Sequence, residues 1–290
     1  MAEWTGERFI LGAGSPEVHH EHLHRYHLAG LFAAGRRVLD LGCGSGTGSA
    51  IVAAAGGVVS AVDIDPDAVV HAQGAYGATM TFAVASATDL PFPDDAFDLV
   101  TCFEVIEHVT EQREVVAEVA RVLAPGGVLI ISTPMREEYN RGLLRPNPFH
   151  LRELDHDEFA ALLADHFPDI SFMGQRSITA SVMWHEGATD RLQIADPPTI
   201  QQVCAMTPVY EVAVCGRGIP PVASGASLYL DLDAQGALEP SLVTQVRDAR
   251  IELTDADQRA RRLAAHLHRL EAQVAATYGR DQAPEGPLAT

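Results

Sequence analysis

Two carboxylates and an imidazole fall within five residues in Glu104-Val105-Ile106-Glu107-His108. The run follows Phe97–Phe103, an apolar stretch that reads as a buried strand. If Glu104 opens a helix, Glu107 and His108 stand three and four residues on, and all three point to one side. These are ligand types that hold Mg²⁺ or Mn²⁺, and a cation of that kind acidifies a bound hydroxyl. The same residues also serve a site without metal. There His108 is the general base, helped by Glu107 or Glu104, or the glutamate contacts a bound cofactor or caps a helix while the histidine lines a pocket.

A second pattern lies upstream. Val38-Leu39-Asp40-Leu41 leads into Gly42-Cys43-Gly44-Ser45-Gly46, a strand entering a glycine-rich turn. Glycines at 42, 44 and 46 permit positive φ and remove Cβ atoms, so backbone N–H groups can close on a ligand where the next helix starts. The next apolar run, 57–62, ends in Asp63-Ile64-Asp65, which places Asp63 to accept two hydrogen bonds from a ribose diol. A nicotinamide site would need glycine at 47 or 49, where the chain has Thr47 and Ser49. Asp40 would moreover repel a pyrophosphate, whereas it suits a cationic ligand.

With these residues in hand, the sequence from about Glu3 to Gln175 resembles the class I S-adenosylmethionine (SAM) dependent methyltransferases. The resemblance implies a three-layer, Rossmann-like α/β fold and in-line transfer of a methyl group from sulfonium to a nucleophilic oxygen. It assigns the cofactor to Asp40, Gly42, Cys43, Gly44, Asp63, Ile64, Ser86, Ala87, Thr88 and Phe103. Where the family usually has an acid that accepts from the adenine amino group, this chain has Ser86, so the hydroxyl or the Ala87 backbone takes that role. An N-terminal helix commonly covers the methionine end in related enzymes, which points to Arg25 for the carboxylate and Tyr26 packed against it. Either residue equally fits an ordinary surface or core position.

Glu-x-x-Glu-His resembles the metal motif of small-RNA 2′-O-methyltransferases and ubiquinone-pathway O-methyltransferases, in which a downstream histidine completes the set. The resemblance implies Glu104, Glu107, His108 and His150 as ligands, with His156 in reserve. Thr5-Gly6-Glu7-Arg8-Phe9, Phe103–His108 and Asn147–Leu154 together resemble bacterial methyltransferases found alongside glycosyltransferases. The expected acceptor is therefore a hydroxyl of a sugar or glycosylated small molecule. N- or C-methylation of a small metabolite, RNA 2′-O-methylation and a non-catalytic SAM-binding scaffold are the alternatives.

The elements that must position these residues are legible in outline. A histidine-dense helix over 16–34 places His20, His24 and His27 on one face, read as a solvated face and lid in preference to a metal cluster. Strands are expected at 80–85, 97–103, 128–134 and 170–175, with a last antiparallel strand over 208–215. Helices are expected at 111–123, with Val115, Val119 and Val122 inward, and at 156–167. Residues 135–145 read as a substrate loop, and 176–207, with Trp184-His185, as an insertion near the acceptor. Three domains follow: a cap (1–35), a SAM-binding domain (36–220) and an extension (221–290) whose helix over 241–278 suits a homodimer contact.

Acids outnumber bases by 39 to 20, a formal charge of −19, which disfavours nucleic acid and anionic membrane as partners. No apolar run is long enough to span a bilayer, nothing near the start resembles a signal peptide, and the four cysteines lack metal spacing. A cytoplasmic location with reduced thiols is expected.

Overall fold

In a computed structural model the protein is described over residues 16–141, 146–178 and 206–216. The Glu3–Phe9 motif, most of the 176–207 insertion and the 241–278 helix lie outside the described residues. The chain divides into two compact units, Met1–Leu230 and Asp231–Thr290, and every described residue belongs to the first.

Among the described residues that unit has seven strands: β1 Arg37–Leu41, β2 Val58–Asp63, β3 Thr81–Val84, β4 Phe97–Phe103, β5 Leu123–Pro134, β6 Asp169–Gln175 and β7 Tyr210–Gly216. They lie in the order β3-β2-β1-β4-β5-β7-β6. β1 to β5 pair in parallel, while β7 runs antiparallel between β5 and β6, as expected from the sequence. The strand order reverses between β1 and β4, and ligands of open α/β sheets bind outside the carboxyl ends of the strands at such a point. Both the glycine turn and Glu104–His108 leave the sheet there.

Among the described residues six α-helices connect or flank the strands: α1 Pro16–Gly30, α2 Thr47–Ala54, α3 Pro66–Tyr76, α4 Gln112–Val122, the short α5 Arg136–Tyr139 and α6 His156–Ala164. Alternation along the strands decides which face each residue serves. Val38, Leu99 and Phe103 join Tyr26, Ala29 and Val52 in the cluster under α1 and α2. Leu39, Leu41, Val100 and Cys102 face Val115, Val119, Val122, Phe159 and Leu163 in the cluster under α4 and α6. Asp40 and Thr101 share the period of Val38 and Leu99, which brings them beneath α1 and α2.

Local signals fix the helix starts. Asp65 accepts from the Asp67 amide with Pro66 at the first helical position of α3. Asp155 and Glu158 form a reciprocal capping box at α6. The sheet departs from expectation at β5, which begins at Leu123 rather than 128. Leu123 pairs with Phe97 ahead of an irregularity, so Pro125–Gly127 are carried inside the strand. Part of the supposed loop over 135–145 is helical, as α5. The histidine face of α1 behaves as expected for a partly solvated surface: His20 and His24 are half-buried and His27 exposed, while Leu23, Arg25, Tyr26 and Ala29 turn inward.

Candidate active site

The glycine turn owes its form to positions a side chain could not fill. Gly42 has φ 76°, and a Cβ there would lie 2.3 Å from Val105 Cγ2. Gly48 sits beneath the Tyr26 ring, where an added Cβ would stand 2.1 Å from two ring carbons. Above Gly44 the space is open to 4 Å. The amides are engaged within the turn, contrary to the expectation that they face a ligand. Those of Gly42 and Cys43 donate to Val62 O at 2.8 and 3.0 Å, and that of Gly44 donates to Asp63 Oδ2 at 2.8 Å. The glycines therefore contribute room for close approach, with Asp63 as the polar group at the mouth.

Asp63 is the last residue of β2. Its Oδ1 accepts from the Asp65 amide at 2.9 Å, and a carboxylate's acceptor capacity exceeds these two bonds. Ile64 beside it is 73 % exposed, an apolar side chain held in solvent at the sheet edge. Ser86, Ala87 and Thr88 are half-buried. The Ser86 and Thr88 hydroxyls lie 2.8 Å apart, and Ser86 Oγ accepts from the Thr88 amide at 3.2 Å, so the hydroxyl is occupied in its own turn. Cys43 and Phe103 are buried, and burial pushes the Cys43 thiol up.

Asp40 lies behind the turn. It has no exposed surface and accepts from Ser49 Oγ at 2.5 Å, Thr101 Oγ1 at 2.8 Å and Tyr26 OH at 3.3 Å. Burial raises its carboxyl, against the pull of these hydroxyls. It joins α1, α2 and β4 beneath the seat. Tyr26 likewise serves the core, with its ring edge-on to Phe103 at 5.0 Å. Arg25 is 2 % exposed. It donates to Gln175 Oε1 at 2.8 Å, meets His22 Nδ1 at 3.2 Å and lies over the Tyr210 ring at 5.0 Å. A guanidinium so enclosed is not placed to receive a carboxylate directly.

The second half of the site forms after β4, and it differs from the expected helix. Glu104 has φ 54°, a left-handed conformation uncommon for a residue with a side chain. Ile106–His108 then make a single 3-10 turn. The three residues consequently do not share a face. Glu104 turns toward β5, where its Oε1 accepts from Ser132 Oγ at 2.6 Å and lies 3.7 Å from Arg25 Nη1.

Glu107, His108 and His150 do come together. One ligand atom from each lies within 4.8 Å of the others, and this is the metal-type group they form among the described residues. Of the four expected ligands, Glu104 is thus corrected out of the cluster, because its backbone points it to Arg25. The reserve choice, His156, bonds Glu211 at 2.9 Å.

Both imidazoles are oriented from behind. His108 Nδ1–H donates to Phe149 O at 3.0 Å, since a carbonyl can only accept. His150 Nδ1–H donates to Glu153 Oε1 at 2.7 Å. Each bond fixes the tautomer that leaves Nε2 as the lone-pair nitrogen, the usual support for a metal-ligating or basic histidine. The 147–152 segment is pinned over the turn by the Leu151 and Arg152 amides, which donate to Glu107 O at 2.8 and 3.1 Å. Gln112 Nε2 ties Ile106 O to Arg152 O, both at 2.9 Å. Glu107 is fully buried, with Oε1 4.0 Å from His108 Nε2.

A methyltransferase-domain family model matches residues 39–131, which contain the glycine turn, Asp63 and Glu104–His108. The match supports a class I SAM-dependent methyltransferase domain over that stretch. The chain is 43 % identical over 141 residues to a Mycobacterium tuberculosis protein named as a probable S-adenosylmethionine-dependent methyltransferase, covering 48 % of this chain and 51 % of that one. It is 43 % identical over 114 residues to the demethylmenaquinone methyltransferase of Clavibacter sepedonicus (38 % of this chain, 46 % of that one). Against a ubiquinone biosynthesis O-methyltransferase of Xanthomonas oryzae pv. oryzae it is 40 % identical over 113 residues (37 % and 47 %). The chain thus spans about half the length of these curated relatives. The PH0226 protein of Pyrococcus horikoshii shares the fold of the methyltransferase domain, with TM-score 0.50 and 22 % identity over 69 % of this chain and 89 % of that one.

Sequence reasoning missed Ser49, Thr101, Ser132, Glu153 and Gln112, the residues that hold the named ones in place. Glu153, three residues after His150, is the one with a local signal.

Proposed function

We propose that the protein transfers a methyl group from SAM to a hydroxyl oxygen of a sugar or glycosylated small molecule, assisted by Mg²⁺ or Mn²⁺. The observation that supports this reading is the convergence of Glu107, His108 and His150 at the strand end next to the glycine turn. The residues fit a divalent cation: one buried carboxylate and two imidazoles whose Nδ1 protons are already held by acceptors. They also fit the cofactor, with an open face above Gly44 and the Asp63 carboxylate beside it.

In this reading Asp63 binds the ribose, the glycine turn lets the adenosyl portion approach the backbone, and Asp40 keeps α1 and α2 in register beneath it. Glu107, His108 and His150 hold the cation, which when bound lowers the pKa of the acceptor hydroxyl. His108 Nε2 is also correctly disposed to take the hydroxyl proton by itself, because Phe149 O fixes the proton on Nδ1. Much of the acceleration comes from alignment of donor and acceptor, with effective molarities up to about 10⁵–10⁸ M in well-oriented cases.

The wording of Phe103–His108 and Asn147–Leu154 favours a sugar hydroxyl, and the likeness to an O-methyltransferase supports oxygen as the methylated atom. The likeness to the demethylmenaquinone enzyme favours the alternative, methylation of a small metabolite other than a sugar. Turnover assays with SAM and a panel of glycosides, phenols and amines, with Mn²⁺ or with EDTA, separate these. Methylated glycosides formed in Mn²⁺ and lost in EDTA are expected. Full activity of His150→Ala in EDTA would remove the metal, and turnover of amines or carbon acids alone would remove the acceptor class.

A further inference from the structure

We infer that the chain leaving β5 through α5 positions His150 for the cation: Tyr139 fixes the plane of the imidazole, and Asn140 steadies the carboxylate behind it. The inference rests on the metal-assisted reading above.

The His150 side chain is 6 % exposed, so the neighbours that enclose it decide where Nε2 points. The bond from Nδ1 to Glu153 Oε1 sets the tautomer, yet a single hydrogen bond lets a ring rock about it. Nε2, on the far side of the ring, moves most. Tyr139 limits that motion, because its ring lies along the imidazole with centroids 5.0 Å apart and planes 30° from parallel, within the range of stacked aromatic pairs. The His108 ring meets the same imidazole in a T-shaped contact at 5.0 Å and 79°. The two contacts together define the plane.

Tyr139 is itself held. Its amide donates to Met135 O at 2.8 Å, its ring lies 6.0 Å from that of Tyr210 on β7, and its hydroxyl accepts from Asn147 Nδ2 at 3.3 Å. From Asn147 the bonds continue to the other histidine: the Phe149 amide donates to Asn147 Oδ1 at 3.0 Å, and Phe149 O accepts from His108 Nδ1 at 3.0 Å. Tyr139 thus reaches His150 through its ring and His108 through its hydroxyl. The next residue, Asn140, donates from Nδ2 to Arg136 O at 2.8 Å and to Glu153 Oε2, the carboxylate oxygen opposite the one that His150 uses. Arg136 Nε adds a bond to Glu153 O at 3.0 Å. Tyr139 and Asn140 touch no reacting atom in this account, so both are positioning residues.

The test is Mn²⁺ affinity by EPR titration, with S-adenosylhomocysteine affinity read by calorimetry on the same proteins. Tyr139→Leu, which removes the ring, is expected to lose about tenfold or more in Mn²⁺ affinity, as outer-shell changes do. Tyr139→Phe keeps the ring and gives up only the hydroxyl route, so a loss of about threefold is expected. S-adenosylhomocysteine affinity should stay within about twofold of wild type in both. An unchanged Mn²⁺ affinity in Tyr139→Leu, an equal loss in Tyr139→Phe, or a parallel loss of S-adenosylhomocysteine affinity would overturn the inference. Asn140→Ala carries the test if Tyr139→Leu does not fold: a loss of about threefold in Mn²⁺ affinity is expected, and no loss would overturn it. Failure of the wild-type protein to bind Mn²⁺ would instead remove the metal-assisted reading itself.

Discussion

At the scale of single residues, the histidines are defined by what lies behind them. Replacing Glu153 by Gln removes the charge that holds the His150 Nδ1 proton. Outer-shell changes of this kind typically cost about 10- to 100-fold in metal affinity. Mn²⁺ EPR titration should show that loss, with S-adenosylhomocysteine affinity unchanged. His108→Ala, which removes one of the proposed cation's ligands, should lower Mn²⁺ affinity and kcat together, with little effect on cofactor binding. Gly42→Ala imposes a Cβ at φ 76° and a 2.3 Å contact with Val105. Strain at such a position costs about 1–3 kcal/mol, so urea denaturation should register it together with weaker cofactor binding. Asp63, Glu107 and His108 are legible in the sequence because they stand at or just after the ends of readable strands, and His150 because the motif around it resembles a known one. The separation of Glu104 from Glu107 was not visible. It depends on one left-handed residue and on Arg25, 79 positions earlier in the chain, and no local periodicity reports either.

At the scale of elements, periodicity carried most of the information. The valines of α4 at 115, 119 and 122 are fully or almost fully buried, and the antiparallel entry of β7 follows from its late position after β6. What escaped was set by tertiary pairing: Leu123 leaves α4 directly into β5 because Phe97 is there to pair with it. Likewise the amides of the glycine turn are drawn to Val62 O and Asp63 by the neighbouring strand. Two measurements belong to this scale. Phe159→Ala removes a fully buried ring from beneath α6, where Phe172 is its neighbour at 5.9 Å, and should cost about 3–5 kcal/mol in a denaturation experiment. The tie between α6 and β7 is pH-dependent. His156 is raised above its ordinary value by its bond to Glu211, with Asp157 and Asp155 adding to it. A raised folded-state pKa means that the contribution is complete below the unfolded value of 6.5 and disappears as pH rises through the folded value. An NMR titration of His156 should place its midpoint above 6.5, and Glu211→Gln should return it toward 6.5.

At the scale of the whole molecule, the architecture explains why two distant motifs make one site. The glycine turn follows β1 and Glu104–His108 follows β4, and these strands are neighbours at the point where the sheet order reverses. The loop bearing His150 is brought across that edge by backbone bonds to Glu107 and by Gln112. Among the described residues no helix is long and apolar enough to cross a membrane. The charge of −19 disfavours unassisted binding to nucleic acid. The measurement that tests the account most directly is an anomalous difference map at the manganese edge from crystals grown with S-adenosylhomocysteine and Mn²⁺. The account predicts nucleoside density against Gly44 and Asp63, with a manganese peak among Glu107, His108 and His150. Nucleoside density in a different cleft, or a manganese peak on Glu104 and Arg25's side of the strand end, would contradict it.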